Sequence, residues 1–415
     1  MKYFSLPLTL FAIDLLFGFQ VYSNDFFGYL GLVTVLDFDD PSTFYNGVYP
    51  PGFVWLLKCI LRLSIDVIFL TKILNYFCLG LVVYFLSTKF FKETPFYVVF
   101  IAFTTLLLTS NIFLSNILSP GSYCFFLVSI IVGTSYYEEN SKASFLIGTS
   151  RLIIATLFRF EAFIWVIGIW VSGVFFVPDH SKNIRAYLPL IISILILLLI
   201  NFLGTNAFVA TKHFLTFEEP KWVDLNPFSK FEKQSFPSFT LGYLNNLIND
   251  AFFLVVLTIS LMFLKSFRRL TLTCLIYLIL INFHSSPRGA FAILPFIYLL
   301  LGQLFYSVWL RERRFALVIS IFLIPTFLYL SLNNYYQKKQ SQAVQNSFHK
   351  IGQVLTSIDK NFSVQSVFSN SHDFYLKNQL PGLPKVNGGW IKLVEGFYNR
   401  NPNFDLSHSS LFYQA

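Results

Sequence analysis

The sequence predicts an all-α polytopic membrane protein with a small α/β module at its C-terminus. Three observations carry this. Hydrophobic residues make up 55% of the chain and charged residues only 12%, against roughly 25% charged residues in soluble domains. Apolar runs of about 20 residues, the length that crosses about 30 Å of hydrocarbon, recur as far as residue 333. Lys and Arg gather in alternate loops between those runs, as the positive-inside pattern requires.

Taken in order, the expected spans are 3–22, 66–88, 96–113, 118–136, 145–160, 161–178, 186–204, 247–264, 269–284, 289–308 and 315–333, about eleven crossings by the length criterion. The first run lacks a small-residue cleavage site and is followed by further spans, so it reads as an anchor and not a signal peptide. Residues 51–63, PGFVWLLKCILRL, are too short to cross. They predict a half-helix or interfacial helix opened by the Pro pair. The loops at 88–95, 136–144, 179–185, 264–269 and 311–314 are mostly rich in Lys and Arg. This puts the N-terminus in the cytoplasm and, with an odd number of spans, the C-terminus outside.

The polarity rises at Asn334, which separates a transmembrane domain (1–333) from a C-terminal extracytoplasmic module (334–415). Ala343, Val344, Phe348, Ile351, Leu355 and Ile358 recur at helical spacing, residues 363–368 read as a strand, and Pro381, Gly382, Pro384, Gly388 and Gly389 mark turns.

Composition excludes several classes. The four cysteines (Cys59, Cys78, Cys124, Cys274) fall in apolar segments without metal-ligand spacing and read as small core residues. The net charge of +9 does not imply nucleic acid, because many of the cations lie in short loops beside apolar runs. No Walker loop, dinucleotide fingerprint, zinc spacing or G-x-S-x-G elbow is convincing.

Against that basic balance, residues 23–50 hold Asp25, Asp37, Asp39 and Asp40 and no Lys or Arg. Carboxylates grouped just beyond the first span suggest chemistry on a polar group at the bilayer surface. Asp37-Phe38-Asp39 has a D-x-D spacing that suits a divalent cation such as Mg or Mn, while Asp39-Asp40-Pro41-Ser42 equally suits a turn or helix cap. Asp14, inside the first span, is expected to face the bundle, neutral or paired. Arg159 and Glu161 flank an apolar turn, where a charge faces a cavity or a partner: either they form an ion pair, with each other or across helices, or the guanidinium aims at an anion. Arg288, in His284-Ser-Ser-Pro-Arg288, reads as a snorkelling interface residue or as a bidentate phosphate ligand. Lys58 and Arg62, one turn apart, snorkel or bind anionic lipid.

The order of these pieces resembles the GT-C superfamily of integral-membrane glycosyltransferases. That superfamily includes protein mannosyltransferases, aminoarabinose transferases and the mannosyltransferases of lipid-anchor assembly. Asp25 and Tyr29 open the loop, Tyr49-Pro50-Pro51-Gly52 close it, residues 152–168 are similar to the family's Arg-x-Glu stretch, and residues 286–302 to its late Arg segment followed by Leu-Pro. The likeness covers roughly residues 1–330. It implies a transferase that takes a hexose or pentose from a polyprenyl-phosphate carrier and passes it to a lipid, glycan or protein acceptor on the extracytoplasmic face. Asp25 would face the acceptor or a bound cation, with Asp39 and Asp40 as further catalytic candidates. Arg288, Arg159, Glu161, Lys58 and Tyr49 would form the donor side. The chain has Asp25-Phe26 where many members have Asp-Glu, and Tyr49 where some have a basic residue, which leaves metal use and donor type open.

Two other readings compete. A lipid-linked saccharide flippase would place ionisable residues near the bilayer midplane, often in repeated halves; no repeat of fixed period is evident. A polysaccharide polymerase is also polytopic, but the early Asp and Tyr-Pro-Pro loop disfavours it. One sequon, Asn361-Phe362-Ser363, and no cysteine in the expected outer loops favour a bacterial inner membrane over the endoplasmic reticulum.

Overall fold

The computed structural model describes residues 2–17, 50–62, 67–118, 121–137, 141–177, 186–199, 250–282, 289–321 and 323–333, with Tyr29, Val33, Tyr243, Leu244, Leu247, Ile248, Tyr335 and Tyr336. These residues are mostly helical, and no strand occurs among them. Of the C-terminal module only Tyr335 and Tyr336 are among them.

Each expected span holds a helix over its described part. The elements are α1 (Ser5–Phe17), α2 (Pro51–Arg62), α3 (Val67–Phe85), α4 (Phe96–Thr109), α5 (Asn111–Leu118), α6 (Tyr123–Tyr137), α7 (Lys142–Phe158) and α8 (Ala162–Phe176). They continue with α9 (Ala186–Leu199), α10 (Ala251–Phe263), α11 (Arg268–Ile281), α12 (Leu294–Arg311) and α13 (Arg313–Asn333). Among the described residues, three helices are long and apolar enough to cross a membrane: Phe69–Phe90, α12 and α13. The number rises to five if two sharply bent pairs, α4 with α5 (93°) and α10 with α11 (114°), each count as one span.

Local chemistry sets the boundaries. Pro51 starts α2, where its missing N–H costs nothing. Phe53, Val54, Leu57 and Ile60 then bury one face of α2, while Arg62 stays exposed. Twelve residues give a rod of about 18 Å, short of a bilayer. α4 stops at Ser110, whose extended backbone breaks the helix. Its hydroxyl then accepts from the Phe113 N–H at 3.2 Å, capping α5. That near-right-angle bend divides what the sequence reads as one span. Ser141 caps α7 in the same way, accepting from the Ser144 N–H at 2.9 Å. α3 ends in one π-helical turn, Leu86–Phe90.

Small residues let the helices approach, as expected where apolar lipid gives no hydrophobic drive to associate. α6 and α7 meet at Gly133 and Gly148: a Cβ at Gly148 would lie 2.3 Å from the Tyr137 nitrogen. α8 meets α11 where Gly168 faces the Thr273 carbonyl, and the Ser172 and Thr273 hydroxyls are 2.8 Å apart. α4 and α12 are joined by Thr109 to Tyr298 at 2.7 Å and by Thr94 to Gln303 at 2.7 Å. The bundle centre is aromatic. Trp165 stacks on Phe296 with centroids 5.1 Å apart, and its indole N–H donates to Thr134 Oγ1 at 2.9 Å.

Asp14 of α1 is paired, one of the two states expected of a carboxylate inside an apolar run. Lys72 of α3 donates to both its carboxylate oxygens, at 3.1 and 3.2 Å, and the Asp14 side chain is only 4% exposed.

Candidate functional site

A group of polar side chains converges where α7 turns into α8, beside the start of α6. Arg159 follows the last residue of α7 in extended backbone, which carries its side chain off the helix axis. The guanidinium lies over the Tyr123 ring, 4.1 Å from its centroid, a cation–π contact. Arg159 Nε donates to Glu161 Oε2 at 3.1 Å, and Nη2 donates to Glu161 Oε1. The pair is therefore bidentate, the geometry a planar guanidinium favours. Both side chains are largely buried, at 14% and 16% exposure.

Tyrosines surround this pair. Tyr29, from the acidic first loop, is buried. Its ring meets Phe53 of α2 edge-on at 4.8 Å, and its hydroxyl lies 3.1 Å from that of Ser122, just before α6. Tyr29 and Tyr123 are near enough to Arg159 to interact with it electrostatically. Tyr277 of α11 interacts with Glu161, Arg159 and Tyr123 in the same way. Phe125 of α6 stacks on Phe158 at the end of α7, so the turn is pinned from below by apolar contact. Phe291, in the 3₁₀ turn Gly289–Ala292, closes edge-on to Tyr123 at 4.9 Å.

Five guanidinium donors are available on an Arg, and Glu161 takes two of them. An arrangement of this type can hold an oxyanion beside the pair, or exchange Glu161 for one. Low dielectric around the group strengthens either contact.

Of the residues singled out from sequence, Arg159 and Glu161 come together here. Lys58 binds the main chain of the first loop: its Nζ donates to the Val33 carbonyl at 3.2 Å, fastening that loop to α2. Asp25, Asp39, Asp40, Tyr49 and Arg288 lie outside the described residues. Among the described residues, no group of three or more His, Cys, Asp or Glu could hold a metal ion. Sequence reasoning did not select Tyr123, Ser122 or Tyr277. The available signal was weak: a tyrosine hydroxyl inside an apolar helix needs a polar partner, but such residues are submerged among 52 Phe and 22 Tyr.

Compared with known proteins, the chain matches no family model, no curated protein and no solved structure.

Proposed function

We propose that this chain is an integral-membrane glycosyltransferase of the GT-C type, with eleven crossings and its N-terminus in the cytoplasm. In this reading it moves a sugar from a polyprenyl-phosphate donor to a lipid, glycan or protein acceptor on the extracytoplasmic face of a bacterial inner membrane. The observation that carries it is the buried Arg159–Glu161 pair with Tyr123, set beside Tyr29, which belongs to the same short loop as Asp25. A guanidinium held in apolar surroundings next to that loop suits a phosphate leaving group.

The chemistry balances without a nucleotide. The acceptor hydroxyl attacks the anomeric carbon while the bond from that carbon to the phosphate oxygen breaks. Asp25 takes the hydroxyl proton, with Asp39 and Asp40 as the other carboxylates of the loop able to do so. The electron pair of the broken bond leaves on the phosphate, whose growing charge Arg288 and Arg159 stabilise. Glu161 holds Arg159 in its fork orientation. Lys58, through its bond to the Val33 carbonyl, holds the loop against α2, and Tyr49 belongs to the donor side. If a divalent cation takes part, Asp37 and Asp39 supply the hard oxygen ligands it needs.

A second reading has one specific observation in its favour. The Asp14–Lys72 pair inside apolar helices is the kind of group that a lipid-linked saccharide transporter uses near the midplane.

Purified full-length protein given a polyprenyl-phosphate sugar and, separately, a nucleotide sugar discriminates between these. Transfer from the lipid-linked donor is expected. Transfer from the nucleotide sugar alone removes the mechanism, and movement of the intact lipid-linked sugar across vesicles without transfer favours the transporter.

A further inference from the structure

Away from the Arg159 group in sequence, a ring contact joins two loops that each carry cations. Phe91, after the π-helical turn that ends α3, stacks on Phe267, the residue before α11, with centroids 4.7 Å apart. Phe91 is fully buried, so the contact fixes the loops to each other. Each ring is flanked by cations within two positions: Lys89 and Lys92 on one loop, Lys265, Arg268 and Arg269 on the other. Glu93 is the single carboxylate in those two five-residue windows. Lys92 and Lys265 are exposed.

The start of α11 sharpens the charge. The positive end of a helix normally attracts carboxylates or a capping side chain. α11 instead opens with Arg268-Arg269, has no acidic residue in its first turn, and its N-cap is Phe267, which supplies no side-chain bond. Arg268 turns back to donate to the Leu261 carbonyl at 3.1 Å, holding its cationic head at the elbow. A break of local helix chemistry of this kind marks a position where something else compensates.

Apolar surface adjoins the cations. Met262 and Phe263 are 63% and 69% exposed and immediately precede the elbow, and Tyr97 and Ile101, 57% and 59% exposed, follow the other loop. A free anion would use the cations and leave these side chains bare, whereas a ligand with a charged head and apolar tails uses both.

We propose that this two-loop basic patch binds the headgroup of an anionic phospholipid, whose acyl chains lie along the exposed apolar side chains beside it. The proposal does not depend on glycosyl transfer, only on these helices lying in a bilayer. The cations of both loops then act together on one headgroup, since the Phe91–Phe267 contact holds the two loops side by side.

The test is native mass spectrometry of the full-length protein, released from mixed micelles with equal phosphatidylglycerol and phosphatidylcholine. The expected result is retention of phosphatidylglycerol over phosphatidylcholine by a factor on the order of ten, shrinking as salt rises. The triple variant Lys92→Ala, Lys265→Ala, Arg268→Gln is expected to bring the ratio near one. Lys265→Ala alone, at an exposed position that does not threaten folding, is expected to lower it severalfold. Equal retention of both lipids by the wild type overturns the proposal, as does an unchanged ratio in Lys265→Ala and the triple variant. Displacement of phosphatidylglycerol by millimolar inorganic phosphate would show a simple anion site and would also overturn it. Failure of the wild type to float with phosphatidylcholine vesicles would remove the membrane placement, and the proposal with it.

Discussion

The hydroxyls of Tyr29 and Ser122 lie 3.1 Å apart in a buried setting, joining the acidic first loop to the start of α6. This bond bridges 93 positions of sequence and ends one residue from Tyr123, on whose ring Arg159 rests. Loop, helix start and guanidinium are therefore mechanically linked through two adjacent residues.

Tyr29→Phe removes one partner of that bond and leaves the Ser122 hydroxyl, itself almost wholly buried, without it. The expected cost is about 1–3 kcal/mol. Thermal unfolding in detergent should show a lower midpoint than wild type, and Tyr29→Phe with Ser122→Ala should recover part of the loss, because both polar groups are then gone. Two independent, fully additive losses would mean that the bond does not form.

Arg159 and Glu161 are expected to respond unequally to substitution. Arg159→Lys keeps the charge but loses the fork and the flat contact with Tyr123, so donor turnover should fall by on the order of tenfold or more. Glu161→Gln leaves a buried guanidinium less well compensated, and breaking a buried pair from one side costs roughly 3–5 kcal/mol. Stability should therefore drop more in Glu161→Gln than in Arg159→Lys. The reverse order, by unfolding midpoint, would place the weight of the site on cation–π contact instead of the ion pair.

Much of this arrangement was legible in the sequence, and the rest was not for identifiable reasons. Two charges in a stretch as apolar as 152–168 each need a partner or a cavity, which made Arg159 and Glu161 readable as a place of interest, while their bond to each other was one of the alternatives. Asp14 was readable for the same reason, although Lys72, 58 residues away, could not be picked as its partner from spacing. The break at Ser110 was not legible, because Ser inside an apolar helix often bonds back to its own turn. Only its geometry reveals that it caps the next helix. Tyr123 and Tyr277 escaped because nothing in the sequence separates them from the other tyrosines of the chain, 22 in all.

Gly148 offers a test of the bundle that is independent of function. A Cβ there would lie 2.3 Å from the Tyr137 nitrogen and 2.7 Å from its Cα, both backbone atoms that cannot step aside. Gly148→Ala should destabilise by roughly 1–3 kcal/mol or more. Gly302→Ala, whose Cβ would meet Ala102 and Val98 at 3.4 Å, should stay within about 0.5 kcal/mol of wild type. Equal unfolding midpoints for the two variants would mean that α6 and α7 do not cross this closely.

Asp25 carries the most direct test of the proposed chemistry. Asp25→Asn keeps the shape of the side chain and removes its basicity. Transfer should fall on the order of 10²-fold or more, in line with loss of general-base help, while expression and unfolding stay near wild type. Near-normal transfer would move the role to Asp39 or Asp40, and the same substitution at those two positions then decides between them.

The Asp14–Lys72 pair separates an ion pair that docks a helix from one that moves a proton. Asp14→Asn and Lys72→Met each strand a charge inside apolar helices and should each destabilise by roughly 3–5 kcal/mol. The exchange Asp14→Lys with Lys72→Asp restores opposite charges at the same two positions. If the pair only holds α1 against α3, the exchanged protein should regain most of its stability and its transfer activity, because neither residue then needs a particular identity. If instead the pair gates transport, the exchanged protein should fold but fail to move the lipid-linked sugar, since each charge would then sit on the other helix. Unfolding midpoint, transfer rate and movement of the lipid-linked sugar across vesicles, measured on the same four proteins, distinguish the two. Recovery of stability and transfer supports the docking role that accompanies a transferase, and recovery of stability with loss of that movement favours the transporter.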